Sequence, residues 1–192
     1  MKKVLLHCCC APCSSAILEW MLANDVQPVL FYCNPNIWPD EEYQIRKNEI
    51  TRYAAKLGIQ IIDDDYDHES WLGYVRGYEA EPERGGRCLL CFRMRLHRTA
   101  LKAAELGIGE FTTTLASSRW KSLDQINEAG HWAAAQVNGP EGEERVSFND
   151  RNWRKGGLQQ RRNELLRLNG FYNQLYCGCE FSHEAMCQKM SK

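Results

Sequence analysis

The segment VLLHCCCAPCSSAILEWML, residues 4–22, decides the fold, because it joins a strand signal to a helix signal through a run of cysteines. The apolar run at residues 4–6 is typical of a buried strand. The apolar pattern at residues 16–22 is typical of a helix, and Pro12 suits the first turn of that helix. In parallel α/β sheets, ligands bind where strands end and helices begin. The sequence therefore predicts a functional site at the cysteines between this strand and this helix.

Strand and helix patterns alternate along the rest of the chain. Strands are predicted at residues 28–32, 59–62, 111–115 and 145–148, and helices at residues 40–57, 89–106, 122–137 and 158–168. Strands separated by helices usually pair in parallel. We therefore expect an α/β fold with one parallel sheet and flanking helices. No linker or internal repeat interrupts the pattern, which favours a single α/β domain over residues 1–192.

Ten cysteines in 192 residues are a high count, but their placement argues against a disulfide scaffold. A chain of this length can bury a core without disulfides, and three adjacent cysteines have poor geometry for them. The apolar run near the N-terminus is shorter than the roughly 7–15 residues of a signal peptide, and no run approaches the roughly 20 residues of a membrane span. We therefore expect a cytoplasmic protein without a membrane partner, whose clustered thiols bind metal or do redox chemistry.

The cysteines form three groups with different chemistry. The group at residues 8–13 precedes a predicted helix, whose free N–H groups favour thiolates. The Cys88–Cys91 pair has the spacing of a metal or redox site. The Cys177–Cys179 pair would close a small, strained ring if oxidised, which favours redox exchange or metal binding over a structural role.

The net charge of −1 conceals blocks of opposite sign. Residues 63–83 contain eight acidic residues and one arginine, whereas residues 84–102 contain six basic residues and no acidic residue. Residues 145–167 contain seven basic and two acidic residues. The two basic blocks suit either a polyanion such as a nucleic acid or the simple solvation of helix faces.

Several ordered blocks of the sequence resemble one family, the QueH-type epoxyqueuosine reductases. The blocks cover nearly the whole chain and lie at residues 7–14, 32–37, 42–46, 79–83, 87–96, 111–115, 152–157 and 176–182. The resemblance implies a Rossmann-like fold related to the adenine nucleotide α-hydrolases. It also implies an oxidoreductase that removes the epoxide oxygen of epoxyqueuosine at the wobble position of tRNA, giving queuosine without cobalamin.

The resemblance further implies the cofactor and the cysteines that serve it. A 4Fe–4S cluster is expected on Cys9, Cys10, Cys88 and Cys91, and a redox-active pair is expected at Cys177 and Cys179. Cys8 makes a run of three adjacent thiols, so which two of that run bind the cluster stays open.

Other participants in the reaction are indicated only by residue type. The candidates for the proton donor are His7, Glu42 and Tyr43. A mononuclear metal beside the cluster is compatible with the family, and its candidate ligands are Asp40, Asp63 and Asp64. The electron donor is not identified by the sequence.

The densest basic patch is the predicted contact with the tRNA anticodon loop. It consists of Arg151, Trp153, Arg154, Lys155, Arg161 and Arg162. Single-stranded RNA is usually held by aromatic stacking on its bases and by cations on its phosphates. In this prediction, the tryptophan stacks on a base and the basic residues bind the backbone.

Two other functions are compatible with parts of the sequence. An ATP-dependent tRNA thiolase of the PP-loop type needs a glycine-rich loop after the first strand, and residues 9–14 contain no glycine. A zinc-stabilised RNA-binding module would use the same thiols without redox chemistry. Spacing alone does not separate zinc from iron. The adjacent Cys9 and Cys10 nevertheless suit two irons of one cluster better than one zinc ion.

Overall fold

A computed structural model describes residues 1–139 and 144–191. Within these ranges the chain forms five strands and seven helices, in the order β1 (Lys2–His7), α1 (Ala11–Ala23), β2 (Val26–Tyr32), α2 (Asp40–Leu57), β3 (Ile61–Asp63), α3 (His68–Tyr74), α4 (Gly86–Glu105), β4 (Glu110–Thr113), α5 (Leu123–Asn138), β5 (Ser147–Phe148), α6 (Leu158–Asn169) and α7 (Glu180–Met190). A short 3-10 turn, Thr114–Ser117, follows β4. None of the described helices has the length and apolar character needed to cross a membrane.

All five strands belong to one parallel sheet, in the order β3-β2-β1-β4-β5. The predicted α/β fold with a parallel sheet is therefore confirmed. β1 is the central strand, and Leu5 pairs with Val29 of β2 on one side and with Phe111 of β4 on the other. The chain order therefore reverses between β1 and β4. Open α/β sheets bind ligands at such a reversal, so the fold places residues 8–10 in a binding region.

The core explains why β1 is a continuous apolar run. Val4, Leu5, Leu6 and His7 are all buried, although successive side chains point to opposite faces of a sheet. A parallel strand covered on both faces shows this pattern instead of alternating polar and apolar residues.

Element ends follow local signals. α2 covers Asp40–Leu57 as predicted and ends at Gly58, whose φ of 65° lies in the left-handed region that glycine adopts easily. β4 ends before the predicted residue 115, because the Thr113 side chain accepts a hydrogen bond from the Leu115 N–H and turns the chain.

Two helices, α3 and α7, are not predicted from the sequence. α3 is only seven residues long, and the Asp67 carboxylate caps its start by accepting a hydrogen bond from the Ser70 N–H. α3 buries only Trp71 and α7 buries only Ser182, so neither helix has the periodic apolar stripe on which the prediction depends.

Gly130 of α5 allows this helix to pack directly on Phe148 of β5. A Cβ atom at Gly130 would lie 2.3 Å from the Phe148 ring. Alanine normally stabilises a helix by about 1 kcal/mol over glycine. Because the ring must move here, we expect Gly130→Ala to lower the free energy of unfolding by about 1–3 kcal/mol in urea titrations.

The matched control for this prediction is Gly73→Ala in α3. No atom lies within 4 Å of a Cβ at Gly73, so this variant is expected to gain about 0.5–1 kcal/mol. Equal gains in stability at both positions would contradict the close approach of α5 to β5.

Candidate metal centre

The loop after β1 brings three thiols together. The sulfur atoms of Cys9, Cys10 and Cys13 lie within 4.8 Å of one another, and those of Cys9 and Cys10 are 3.7 Å apart. Cys10 is the extended N-cap of α1 and Cys13 lies in its first turn, so the helix start folds the thiols onto each other. Cys8 is fully buried, and its thiol donates to the Phe31 carbonyl oxygen at 3.5 Å. Cys8 therefore lies outside the group.

One thiolate is favoured within this group. The pKa of Cys9 lies well below its ordinary value, because the Cys10 and Cys13 thiols and the Thr114 hydroxyl donate hydrogen bonds to it. Burial raises the pKa of Cys10 well above its ordinary value. Thiolates are the ligands of soft metal sites. Among the described residues, this is the only group of three or more His, Cys, Asp or Glu atoms close enough to share a metal ion.

The acidic segment before α4 fixes the start of that helix and its two cysteines. The Glu81 carboxylate accepts a hydrogen bond from the Gly86 N–H at 2.5 Å. Arg87 is buried and donates to three carbonyl oxygens in residues 78–81. The segment therefore wraps around the guanidinium and holds the first turn of α4 in place.

Cys88 and Cys91 face different surroundings on that turn. Cys88 accepts a hydrogen bond from the Arg84 N–H at 3.3 Å, and burial is the main cause that raises its pKa to about 12. Cys91 is buried in a small apolar cluster with Trp71 and Cys179. The predicted CxxC pair thus lies against the C-terminal cysteines.

Residues 177–179 form a short segment, here called the strap. Its main-chain carbonyl oxygens accept hydrogen bonds from residues elsewhere in the fold. Arg46 of α2 donates to the Cys177 carbonyl oxygen at 3.1 Å, and the Trp38 N–H donates to the Gly178 carbonyl oxygen at 2.8 Å. Gly178 has a φ of 132°, and a Cβ atom there would lie 3.1 Å from Arg46 and from Ile37. Only glycine fits this position easily.

Gln174 connects the strap segment to the first cysteine group. Its Nε2 donates to the Cys10 sulfur at 3.1 Å. Charge on Cys177 also raises the pKa of Cys88 and Cys91, after the larger effect of burial. The structure therefore brings the three cysteine groups of the sequence into one region.

The buried Arg95 and the half-buried Lys121 place two cations among these thiols. Arg95 is 2% exposed and donates to the Cys33 carbonyl oxygen at 3.3 Å. Burial opposes its charge, but the thiols of Cys91 and Cys9 raise its pKa. Burial also opposes the charge of Lys121, but the neighbouring thiols raise its pKa. The largest of these thiol effects comes from Cys177. A negatively charged thiolate site is thus balanced from inside the protein.

Comparison with known proteins identifies the family. A family model described as "Epoxyqueuosine reductase QueH" matches residues 4–185. The chain belongs to this family. Three relatives named "Epoxyqueuosine reductase QueH" come from Histophilus somni, Haemophilus influenzae and Acinetobacter baylyi. The first is 47% identical over 94% of this chain and 72% of its own length. The second is also 47% identical, over 94% and 71%, and the third is 45% identical over 94% and 80%.

Membership of the epoxyqueuosine reductase QueH family makes this chain an oxidoreductase, as the sequence predicts. The family also accounts for the missing glycine in the loop after β1, because reduction of an epoxide needs no nucleotide phosphate there. The ATP-dependent thiolase is therefore set aside.

The candidate proton donors of this epoxyqueuosine reductase all have structural contacts. His7 is fully buried, and its Nε2–H donates to the Cys33 carbonyl oxygen at 3.0 Å while Nδ1 lies 2.8 Å from the Thr113 hydroxyl. Burial lowers the pKa of His7 to about 3, so the ring is neutral. Glu42 forms a salt bridge with Arg46, and the Tyr43 hydroxyl donates to Asp63 at 3.4 Å.

The carboxylates considered for a second metal are separated. Asp63 forms an ion pair with Lys47, Asp64 forms one with Arg98 at 3.1 Å, and Asp40 is exposed at the start of α2. Within the described ranges they join no group of metal-ligating atoms.

The structure corrects one member of the predicted RNA surface. Trp153 is 1% exposed and packs edge-on against Trp20, with ring centroids 5.4 Å apart. Its indole N–H donates to the Thr112 hydroxyl at 3.4 Å. The prediction that Trp153 stacks on a base is wrong, because the ring belongs to the core. Arg151 instead covers the outer side of Trp20, with its guanidinium carbon 3.8 Å from the ring centroid.

The other basic residues of the predicted RNA surface differ in whether carboxylates neutralise their charges. Arg161 is held by Glu19 at 2.7 Å and by Glu164 at 3.0 Å, which neutralises it. Arg154 donates to the Lys121 carbonyl oxygen at 2.9 Å, and Lys155 is exposed. Arg162 donates to two asparagine oxygens at the surface.

Sequence reasoning missed three residues of the site, namely Arg46, Lys121 and Gln174. The cysteines that these side chains approach lie far away along the chain, so no local pattern marks them.

Proposed function

We propose that this chain reduces epoxyqueuosine at the wobble position of tRNA, with a 4Fe–4S cluster on Cys9, Cys10, Cys88 and Cys91 and a redox-active pair at Cys177 and Cys179. The observation that carries the proposal is the convergence of the three cysteine groups. Gln174 contacts Cys10, and Cys179 packs on Cys91, so the C-terminal segment that includes Gln174 and the strap touches both proposed ligand pairs.

The residues present fit a thiolate-bound cluster. The donors are sulfur atoms, which iron–sulfur clusters require, and they lie beside two cations, the buried Arg95 and the half-buried Lys121. The buried indole N–H of Trp71 has no hydrogen-bond partner among the described residues, and it lies close enough to Cys91 to favour the thiolate. Hydrogen bonds to sulfur are a normal part of such sites. A bound cluster would supply single electrons at a potential that these surroundings set.

The cysteine pair supplies the electron balance. Conversion of an epoxide to an alkene takes two electrons and two protons and releases water. Oxidation of the Cys177 and Cys179 thiols to a disulfide gives two electrons and two protons. One dithiol therefore balances one turnover, and a donor that is not identified must reduce the disulfide again. All ten cysteines are free thiols in this structure.

The tRNA partner is supported by exposed positive charge. In this proposal Arg151, Arg154, Lys155 and Arg162 bind phosphates of the anticodon loop, whereas Arg161 contributes little because two carboxylates neutralise it. The target base leaves its stack to reach the thiol site, as bases do in other enzymes that modify them.

The test is an anaerobic assay with tRNA that carries epoxyqueuosine, together with iron and sulfide analysis. We expect a brown protein that forms queuosine, whereas colourless protein with zinc would support the RNA-binding module. Cys177→Ser and Cys179→Ser should each keep the iron and sulfide content but fall to the activity of cluster-free protein. Undiminished repeated turnover by either variant would contradict the role of the pair.

A further inference from the structure

Trp120 is the most exposed tryptophan of this chain, with 82% of its surface accessible. It lies on a turn at residues 118–121, where the Lys121 N–H donates to the Ser118 carbonyl oxygen at 3.4 Å. Tryptophan is highly buried on average, and a fully solvated ring contributes nothing to the core. Core packing therefore does not explain why a tryptophan occupies this position.

The turn that carries Trp120 is held rigidly. Arg84 donates from Nη2 to the Arg119 carbonyl oxygen at 3.0 Å and from Nε to the Trp120 carbonyl oxygen at 2.8 Å. Arg154 donates to the next carbonyl, that of Lys121, at 2.9 Å. Three successive carbonyl oxygens are thus bound by guanidinium groups, so the backbone under the exposed ring is fixed.

The same turn borders the cysteine site. Arg84, which holds the Trp120 carbonyl, also donates its own N–H to the Cys88 sulfur at 3.3 Å. Lys121, the residue after Trp120, is close enough to Cys177 and Cys9 for their thiols to raise its pKa. A molecule stacked on Trp120 would therefore lie beside the proposed route into the thiol site.

The surroundings of Trp120 are positively charged. The Arg84 and Arg119 guanidiniums lie close enough to Arg154 to lower its pKa, after the effect of burial. Over residues 1–139 and 144–191, no carboxylate forms a salt bridge with any of these three arginines. An aromatic ring among unpaired cations matches the chemistry of single-stranded RNA, whose bases stack and whose phosphates bind arginine.

We propose that Trp120 is a stacking platform for an unpaired RNA base next to the base that enters the cysteine site, with Arg84, Arg119 and Arg154 on the flanking phosphates. This inference rests on the proposed function, because it takes the RNA substrate from there. It assigns the aromatic contact that the sequence alone placed at Trp153.

The test measures binding of wild-type protein and variants to a fluorescent anticodon stem–loop RNA over a series of salt concentrations. Loss of one stacked base should weaken binding of Trp120→Ala by about 5- to 150-fold. The slope of affinity against salt should stay unchanged, because no phosphate contact is lost. Trp120→Phe should recover part of the affinity, whereas Arg119→Gln should reduce the slope.

Controls separate stacking from other losses. Leu168→Ala removes another exposed apolar side chain, 74% accessible, and should bind like wild type. A fully double-stranded RNA of the same stem should bind wild type and Trp120→Ala equally. Wild-type affinity of Trp120→Ala for the stem–loop would overturn the proposal, as would intact RNA binding combined with slower reduction by a protein electron donor. Wild-type protein that fails to bind the RNA would instead overturn the proposed function.

Discussion

Replacing Cys88 and Cys91 with serine, singly or together, is expected to remove the iron–sulfur cluster and abolish reduction of epoxyqueuosine. The expectation follows because these are two of the four proposed ligands and Cys91 is buried, so water cannot replace a lost thiolate easily. Iron and sulfide content, the visible spectrum and the activity of reconstituted protein should fall together.

Two further cysteines make this prediction specific. Cys187 is exposed and lies at the end of α7, so Cys187→Ser should keep full iron content and activity. Cys13 is the sharper comparison, because its sulfur lies with those of Cys9 and Cys10. Under the proposed ligand set, Cys13→Ser retains the cluster. If Cys13→Ser loses the iron while Cys88→Ser and Cys91→Ser keep it, the proposed ligand set is wrong.

The second large effect is expected at Arg46, which holds the strap. Arg46→Met leaves Glu42 buried without its ion-pair partner and frees the carbonyl oxygens of Tyr176 and Cys177. Loss of one partner from a buried ion pair costs about 3–5 kcal/mol, so the free energy of unfolding should fall by about this amount. Urea titration measures the change.

A second measurement tests the role of Arg46 in positioning. Once the strap is free, the half-buried Cys177 should react faster with iodoacetamide, as peptide mapping by mass spectrometry can show. Arg46→Lys keeps a positive charge beside Glu42 but lacks the planar guanidinium that binds the strap. It should therefore restore most of the free energy of unfolding but less of the protection of Cys177 from iodoacetamide. Arg52→Met, at an exposed position of the same helix, should change neither quantity. Protection of Cys177 that is unchanged in Arg46→Lys and Arg46→Met would argue against positioning.

The local parts of the fold could be predicted, because their signals lie within a few residues. The strand, cysteine loop and helix of residues 4–22 and the end of α2 at Gly58 are examples, and both are confirmed. The failures involve long-range contacts. Trp153 lies in a basic segment, but its burial depends on Trp20 far along the chain. Arg161 forms an ion pair with Glu164 three positions away, but its second partner, Glu19, is 142 positions away and is not apparent from the sequence.

The sequence marks the three cysteine groups that the structure brings into one region, but it does not mark the side chains around them. Cysteine groups are visible because their spacing is itself the signal. Gln174 and Lys121 carry no such pattern, and their contacts with thiols arise only when β1, the turn after β4 and the C-terminal segment meet. The cations and amides that tune a metal site are therefore the part that a single sequence conceals.

The central position of β1 has a consequence for how the protein is made. β1 pairs with β4, and Leu5 is separated from its partner Phe111 by more than half the length of the chain. A ribosome adds about 5–20 residues per second, so several seconds pass between synthesis of Cys10 and of Cys91. The first thiols emerge long before the sheet can close around them. A cluster that uses Cys91 as well as Cys10 can therefore be completed only after residue 91 has been made, and the nascent chain has to keep its first thiols reduced until then.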